Sequence, residues 1–200
     1  MKRTALFVSL VFILVSFKPE GGYKVGDVAS DFKLKNVDGK MVSLADFKDA
    51  KGAIIVFTCN HCPFSIKYED RIIALNKKYA DKGYPVIAIN PNDPAAHAED
   101  DFAGMVKRAK EKSFNFPYLH DESQAIARSY GASRTPHIFI VQKEKGDYIV
   151  KYIGAIDDNA DEAGAVTEKY AEAAVDALLA SQPINHDFTK AIGCTIKWKK

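Results

Sequence analysis

The chain has 200 residues, of which 47% are hydrophobic and 11% aromatic, enough to form the core of one globular domain. Its 28 Lys and Arg residues nearly balance its 26 Asp and Glu residues, which gives a formal net charge of +2. This balance argues against a nucleic-acid-binding protein, which normally carries a basic patch. Three cysteines are too few for a disulfide-stabilised miniprotein, so the spacing of each must be interpreted.

The first residues are typical of a targeting segment. Lys2 and Arg3 precede an apolar run over residues 5–17 that only two serines interrupt. A charged region followed by a short apolar region is the pattern of a secretory signal. As a helix the run would span about 20 Å, which is shorter than the roughly 30 Å hydrocarbon core of a bilayer.

We therefore predict that residues 1–22 are a signal peptide or an N-terminal anchor, and that residues 24–200 form the domain. The sequence is consistent with a cleaved signal peptide and with an uncleaved anchor, because no Ala-x-Ala cleavage triplet follows the apolar run. The protein is expected to be exported to the periplasm or another extracytoplasmic compartment. It would contact a membrane only if the segment is not cleaved. In such an oxidising compartment disulfides form and persist.

The rest of the chain alternates strand and helix patterns. The predicted elements are a hairpin (31–35 and 41–44, around Asp38-Gly39), a strand (53–57), a helix (63–81), a strand (85–90), a helix (99–112), a short helix (122–130), two strands (137–142 and 148–153) and a terminal helix (163–180). Continuous apolar runs such as 53–57 are typical of strands that are buried on both faces. This order predicts an α/β fold, with a mixed sheet flanked by helices on both faces and an N-terminal β-hairpin.

Two cysteines follow the first buried strand directly, as Cys59-x-x-Cys62. They lie where the strand passes into a helix, and the unpaired N–H groups and dipole of a helix N-terminus lower the pKa of a nearby thiol. We predict that Cys59 is the exposed nucleophile and that Cys62 closes a disulfide with it. His61 lies between them and favours the thiolate of Cys59. Pro63 suits the first helical turn, where no backbone N–H is needed.

A cysteine pair can also bind a metal ion or form a purely structural disulfide. A structural zinc site needs four ligands, and Cys194 and the other histidines provide no second cluster at ligand spacing. A purely structural disulfide would be strained and exposed in this position. Cu(I) suits two thiols and a nearby histidine, so a metallochaperone stays an alternative. We otherwise predict no cofactor and no metal.

The combined motifs resemble a known fold. The hairpin carries Asp31-Phe32-x-Leu34 and Asp38-Gly39-Lys40, a buried strand leads into the cysteine pair, and Thr135-Pro136 precedes a later strand. Together they resemble the thioredoxin-like fold. Several segments resemble, more narrowly, the peroxiredoxin-like branch that is related to alkyl hydroperoxide reductase and thiol-specific antioxidant proteins (57–63, 89–94, 116–121, 154–159 and 193–198). The resemblance covers about residues 24–200.

This resemblance implies a thiol–disulfide oxidoreductase that acts on protein thiols or disulfides and is served by an upstream redox partner. It also implies a cis peptide bond before Pro136, opposite the cysteines, and a Thr135 backbone that is offered to an incoming peptide. The sequence lacks the Trp that precedes the first cysteine of thioredoxins and the acidic residue of their preceding strand. It also lacks the upstream Pro of peroxiredoxins, and Cys59 stands at their Thr position. Peroxide reduction is therefore the alternative activity.

Cys194 and Arg134, which lie near these motifs, each have two alternative roles. Cys194 is either a small buried side chain, or a second resolving thiol or an intermolecular bridge. Arg134 is either a solvated loop residue or the arginine that stabilises the reactive thiolate in peroxiredoxins. His137 follows Pro136 and is the histidine to examine near the site, whereas His97, His120 and His186 are expected to be solvated or core side chains.

Overall fold

The computed structural model describes residues 21–200. Residues 1–20 of the predicted targeting segment lie outside the described residues. The strands are β1 (Val28–Ala29), β2 (Lys33–Asn36), β3 (Met41–Ser43), β4 (Gly52–Phe57), β5 (Val86–Asn90), β6 (Tyr118–His120), β7 (Arg134–Thr135), β8 (His137–Glu144), β9 (Asp147–Gly154) and β10 (Cys194–Thr195). The α-helices are α1 (Pro63–Tyr79), α2 (Phe102–Glu111), α3 (Ala125–Tyr130) and α4 (Tyr170–Leu179). None of the helices between residues 21 and 200 combines the length and apolar character that crossing a bilayer requires.

Eight of these strands form one mixed sheet in the order β1-β9-β8-β4-β5-β6-β2-β3. Strands β4, β5 and β6 run parallel, whereas β8 pairs antiparallel with β4. Every residue of β4 is buried, which explains the uninterrupted apolar run of this central strand. The predicted hairpin is confirmed, because β2 and β3 pair antiparallel around Asp38 and Gly39.

The two faces of the sheet carry separate apolar clusters, because successive side chains of a strand point to opposite faces. Ile54 and Val56 face a cluster that contains residues of α1, α2 and α4. Ile55 and Phe57 face a second cluster, to which α3 contributes Tyr130. Helices therefore cover both faces, as predicted, and the α/β thioredoxin-like fold class is confirmed.

The terminal helix begins later than predicted. Residues 163–165 form only a single 3₁₀ turn, and the α-helix starts at Tyr170. The Asp158 N–H donates to the Glu168 carbonyl at 3.1 Å, and the Asp158 carboxylate accepts from the Thr167 N–H at 3.1 Å. These loop bonds occupy backbone groups that a longer helix would need for its own first turn. The alanine-rich composition had pointed to a helix throughout.

Four short strands were not predicted: β1, β6, β7 and β10. Each contains two or three residues, so none displays a period that a sequence pattern can reveal. β6 bridges the parallel strands and the hairpin, because it pairs with β5 on one side and β2 on the other. β7 and β10 form a separate two-stranded sheet, which lies at the cysteine pair.

Candidate active site

The cysteine pair lies at the junction of β4 and α1, where the sequence predicts it. β4 ends at Phe57, and the Thr58 N–H extends its ladder by donating to the Ile89 carbonyl at 2.9 Å. Cys62 is the N-cap of α1, and Pro63 is its first residue. The free N–H groups of the first helical turn therefore point towards the cysteine pair.

Both sulfur atoms contact Thr135. The Cys59 Sγ lies 3.2 Å from Thr135 Oγ1 and 3.8 Å from Ser65 Oγ, and the Cys62 thiol donates to the Thr135 carbonyl at 3.2 Å. The Thr135–Pro136 peptide bond is cis, as the resemblance implied. One residue of β7 thus fixes the positions of both thiols, through its hydroxyl and its carbonyl group.

The expectation that Cys59 is exposed is wrong. The residue is 3% exposed and Cys62 is fully buried. The Cys59 sulfur points inward, onto the hydroxyl groups of Thr135 and Ser65, instead of outward from the loop. A partner disulfide can therefore reach Cys59 only after a local movement of the groups around it.

The electrostatics of the pair also differ from the expectation. The hydrogen bond between the two thiols raises the pKa of Cys59 and lowers that of Cys62. Burial and the nearby negative charge of Asp100 raise the pKa of Cys59 further. Burial opposes the lowering of the Cys62 pKa, whereas the Cys194 thiol and the nearby backbone of Ser65 and Cys194 add to it. These causes favour ionisation of Cys62 over ionisation of Cys59.

A buried carboxylate organises the loop between the two cysteines. Asp100 is fully buried and accepts the N–H groups of Asn60 at 2.7 Å and His61 at 3.3 Å. Its second oxygen lies 2.5 Å from the ring Nδ1 of His61 and accepts the Asn92 amide at 2.8 Å. Asp100 thus fixes both the backbone of the loop and the orientation of the imidazole ring.

His61, Asp100 and Cys59 form a compact group. One ring nitrogen of His61, one carboxylate oxygen of Asp100 and the Cys59 sulfur all lie within 4.8 Å of one another. The His61 ring stacks on His97, with 3.6 Å between the centroids. This arrangement places an imidazole ring and a carboxylate beside the sulfur. The same three atoms are also the donors that the Cu(I) alternative would use, together with Cys62.

Asp100 was not predicted from the sequence. It stands in the acidic run Glu99-Asp100-Asp101 before α2, where carboxylates are common as solvated helix-capping groups. One signal was available. β4 and β5 are both buried and parallel, so the segments that follow them meet at the same edge of the sheet.

Arg134 and His137 lie beside the site, but Arg134 contacts the C-terminal segment and His137 packs against a core ring. The Arg134 guanidinium donates to the Gly193 carbonyl at 3.0 Å and so holds the C-terminal segment. His137 is buried, and its ring lies 4.7 Å from that of Phe139. Burial lowers the pKa of His137 to about 4, which leaves the imidazole neutral at neutral pH.

The third thiol reaches the site through β10. This strand pairs antiparallel with β7, with Cys194 opposite Thr135 and Thr195 opposite Arg134. Cys194 is half-buried, and burial together with the neighbouring Cys62 thiol raises its pKa. The expectation that Thr135 offers its backbone to an incoming peptide therefore needs correction, because the C-terminal strand of the same chain already pairs with it.

Comparison with known proteins places this geometry in a family. Residues 25–153 match the model of the AhpC/TSA family. The chain belongs to the AhpC/TSA family. The thiol-disulfide oxidoreductase ResA of Bacillus cereus is 27% identical to this AhpC/TSA protein over 159 residues, which cover 72% of this chain and 86% of that protein.

Two crystal structures resemble this AhpC/TSA protein. An uncharacterized conserved protein from Geobacillus kaustophilus is 39% identical, with a TM-score of 0.81, over 88% of this chain and 93% of that one. The thioredoxin domain of a thiol-disulfide oxidoreductase from Bacteroides vulgatus is 23% identical, with a TM-score of 0.52, over 66% of this chain and 91% of that one. The protein is therefore a thioredoxin-like member of the peroxiredoxin-like branch and belongs to a family of oxidoreductases, as the sequence motifs predicted.

Proposed function

We propose that this AhpC/TSA protein is a thiol–disulfide oxidoreductase that exchanges disulfides with protein thiols through Cys59 and Cys62. The observation that carries the proposal is that both sulfur atoms, which lie at the N-terminus of α1, contact Thr135. This geometry keeps two thiols close together and stabilises one negative charge between them. The similarity to a thiol-disulfide oxidoreductase supports the same class of reaction.

The reaction begins with Cys59, the less buried of the two thiols. Its sulfur attacks one sulfur of a partner disulfide, and the partner thiolate that leaves takes up the Cys59 proton. The partner's S–S bond breaks, and a mixed disulfide with Cys59 forms. Cys62 then attacks the Cys59 sulfur, and the second partner thiolate that is released takes up the Cys62 proton. The product is a Cys59–Cys62 disulfide and two partner thiols, so two electrons have moved to the partner.

His61 is the group that handles protons for this exchange. Its ring nitrogen lies within 4.8 Å of the Cys59 sulfur and can protonate a departing thiolate at that position. Asp100 is a positioning residue, because it contacts the ring and the loop backbone rather than a sulfur atom. Asp100 extends the predicted site of Cys59, His61, Cys62, Thr135 and Pro136 by one carboxylate.

The setting of this activity follows from the N-terminal sequence. The charged and apolar pattern of residues 2–17 supports export, either as a mature soluble form or attached by an uncleaved anchor. Residues 24–200 would act as one domain. The partners are protein thiols or disulfides, and an upstream redox protein returns the cysteine pair to its starting state after each exchange. Nucleic acid is not a partner in this proposal.

Single cysteine variants test the proposed function. Cys59→Ser should abolish disulfide reduction with insulin as the substrate, because the attacking sulfur is lost. Cys62→Ser should also stop turnover but accumulate a mixed disulfide at Cys59, which mass spectrometry can assign. Circular dichroism spectra of both variants provide the folding control. Turnover in both variants at the rate of the unmodified protein would refute the proposal.

Peroxide reduction is the second candidate, because the matching family is named for alkyl hydroperoxide reductase and thiol-specific antioxidant proteins. The reduced protein would then consume hydrogen peroxide far faster than free cysteine does. Equal rates for the protein and free cysteine would exclude this activity. Titration of the reduced protein with Cu(I) tests the metallochaperone alternative. Stoichiometric binding that is lost in both cysteine variants would favour that alternative.

A further inference from the structure

The C-terminal strand brings a third thiol to the proposed redox pair. β10 places Cys194 directly opposite Thr135, whose carbonyl oxygen is 3.2 Å from the Cys62 sulfur. All three cysteines of the chain therefore meet around one residue.

This approach depends on a glycine. A Cβ atom on Gly193 would lie 2.2 Å from the Thr135 carbonyl oxygen and 2.7 Å from its carbonyl carbon. Contacts this short do not occur between real atoms, so only glycine lets β10 lie this close to β7. Cys194 is the next residue along the chain and is thus brought close to Thr135, whose carbonyl oxygen contacts Cys62.

The segments on both sides of Cys194 are fixed to the domain. On one side, the Gly193 carbonyl accepts the Arg134 guanidinium at 3.0 Å. On the other side, the Lys197 carbonyl accepts the Gln124 amide at 2.7 Å, and the Lys197 N–H donates to Asn92 at 2.9 Å. Between them Ile196 is buried. These contacts hold the Cys194 thiol beside Cys62 instead of leaving it on a loose C-terminal tail.

We propose that Cys194 is a third redox-active thiol. It exchanges with the Cys59–Cys62 disulfide and forms a Cys62–Cys194 disulfide within the same chain. The Cys194 thiolate attacks the Cys62 sulfur, the bond between Cys59 and Cys62 breaks, and the bond between Cys62 and Cys194 forms. Cys59 leaves as a thiolate and takes up the proton that Cys194 released. No electrons are gained or lost, so no external oxidant is required.

This inference rests on the proposed function, because the Cys59–Cys62 disulfide is its starting point. It adds a second oxidised form of the protein, in which Cys59 is a thiol again. In that form β10 is bonded covalently to α1 and closes the backbone edge of Thr135. The disulfide of this form would not include Cys59, the thiol that reacts with the partner.

The experiment maps the disulfides of the full chain in glutathione redox buffers. Acid quenching, alkylation of thiols and trypsin digestion separate the cysteines, because cleavage after Lys51 and Lys67 releases Cys59 and Cys62 on one peptide and cleavage after Lys190 and Lys197 releases Cys194 on another. We expect a cross-linked pair of peptides 52–67 and 191–197 that carries one alkylated thiol. Fragmentation of the pair should assign that thiol to Cys59.

Variants isolate the new bond. Cys59→Ser keeps only Cys62 and Cys194, which should form an intramolecular disulfide in monomeric protein. Adding Gly193→Ala to this variant should abolish the cross-linked peptides while both thiols remain, because β10 can no longer approach Thr135. The matched control adds Gly164→Ala, where the new Cβ atom would lie 3.9 Å from the Glu162 carboxylate, an ordinary contact distance, and should keep the cross-link.

The outcomes separate this inference from the proposed function. If the unmodified protein forms only the Cys59–Cys62 disulfide at every glutathione ratio, the inference is overturned and the proposed function stands. The inference also fails if Cys194 of the Cys59→Ser variant stays reduced, or bonds only between molecules on a non-reducing gel. If Cys62–Cys194 forms although Cys59–Cys62 never does, the proposed function fails and Cys194 is the partner thiol of Cys62.

Discussion

Replacing Asp100 with asparagine tests the most heavily connected polar group of the site. The carboxylate is fully buried and receives four hydrogen bonds, from the N–H groups of Asn60 and His61, the His61 ring and the Asn92 amide. Asparagine has nearly the same shape but only one acceptor oxygen. The two donors that face the second oxygen therefore lose their acceptor, while the two backbone donors keep theirs.

The size of the effect follows from this count. A hydrogen bond to a charged group contributes about 1.5–3 kcal/mol to stability, and a buried donor without an acceptor carries a desolvation cost. Losing two such bonds predicts a decrease in the free energy of unfolding of about 3 kcal/mol. Asp101→Asn is the matched control. Asp101 is exposed and caps α2 by accepting the Gly104 N–H at 2.6 Å, a role that asparagine fulfils equally well.

Urea unfolding under reducing conditions at neutral pH measures this difference. We expect Asp100→Asn to lose about 3 kcal/mol and Asp101→Asn less than about 0.5 kcal/mol. After the Cys62 hydrogen bond and burial, the charge of Asp100 is a further cause of the raised pKa of Cys59. The pH dependence of Cys59 alkylation should therefore shift to lower pH in Asp100→Asn. Equal stability and equal alkylation profiles for the two variants would refute the role given to Asp100.

Two further predictions concern buried charges around the site. Burial lowers the pKa of His137 from 6.5 to about 4, so the unfolded chain takes up this proton first and the stabilisation present above about pH 6.5 is lost as the pH falls towards 4. Between about pH 7 and pH 4.5 the unmodified protein should lose about 2–3 kcal/mol more stability than His137→Leu, and parallel pH profiles would contradict this. Glu69 is 4% exposed and accepts two bonds from Arg108 at 2.6 and 2.7 Å. Urea unfolding should report a loss of about 3 kcal/mol for Glu69→Gln, with Asp70→Asn as a near-neutral exposed control, and similar values for both would disprove the buried pairing.

The central part of the fold was predictable because its residues repeat one simple pattern. β4 is apolar at every position, as a strand covered on both faces must be, and its end marks where the cysteine pair lies. The spacing of the two cysteines and the following proline then indicates the helix N-terminus. These features are local, so a single sequence contains the information needed to recognise them.

Asp100 and Cys194 could not be assigned from local patterns. Asp100 reaches His61 because the parallel pairing of β4 with β5 brings the loops after both strands together. Its acidic neighbours make it look like an ordinary capping residue. Cys194 reaches Cys62 through a two-residue strand that has no detectable period. In both cases the chemistry depends on tertiary contacts that join distant segments, and local propensity does not encode them.

The position of β10 links substrate access to the chemistry of the third thiol. A peptide that pairs with the Thr135 backbone must first displace β10, because Cys194 occupies the pairing position. Displacement carries the Cys194 thiol away from Cys62, so a bound peptide and a Cys62–Cys194 disulfide exclude each other. The protein with this disulfide should therefore bind extended thiol peptides more weakly than the reduced protein does. An equal affinity of the two forms would mean that peptides approach Cys59 by a route that leaves β10 in place.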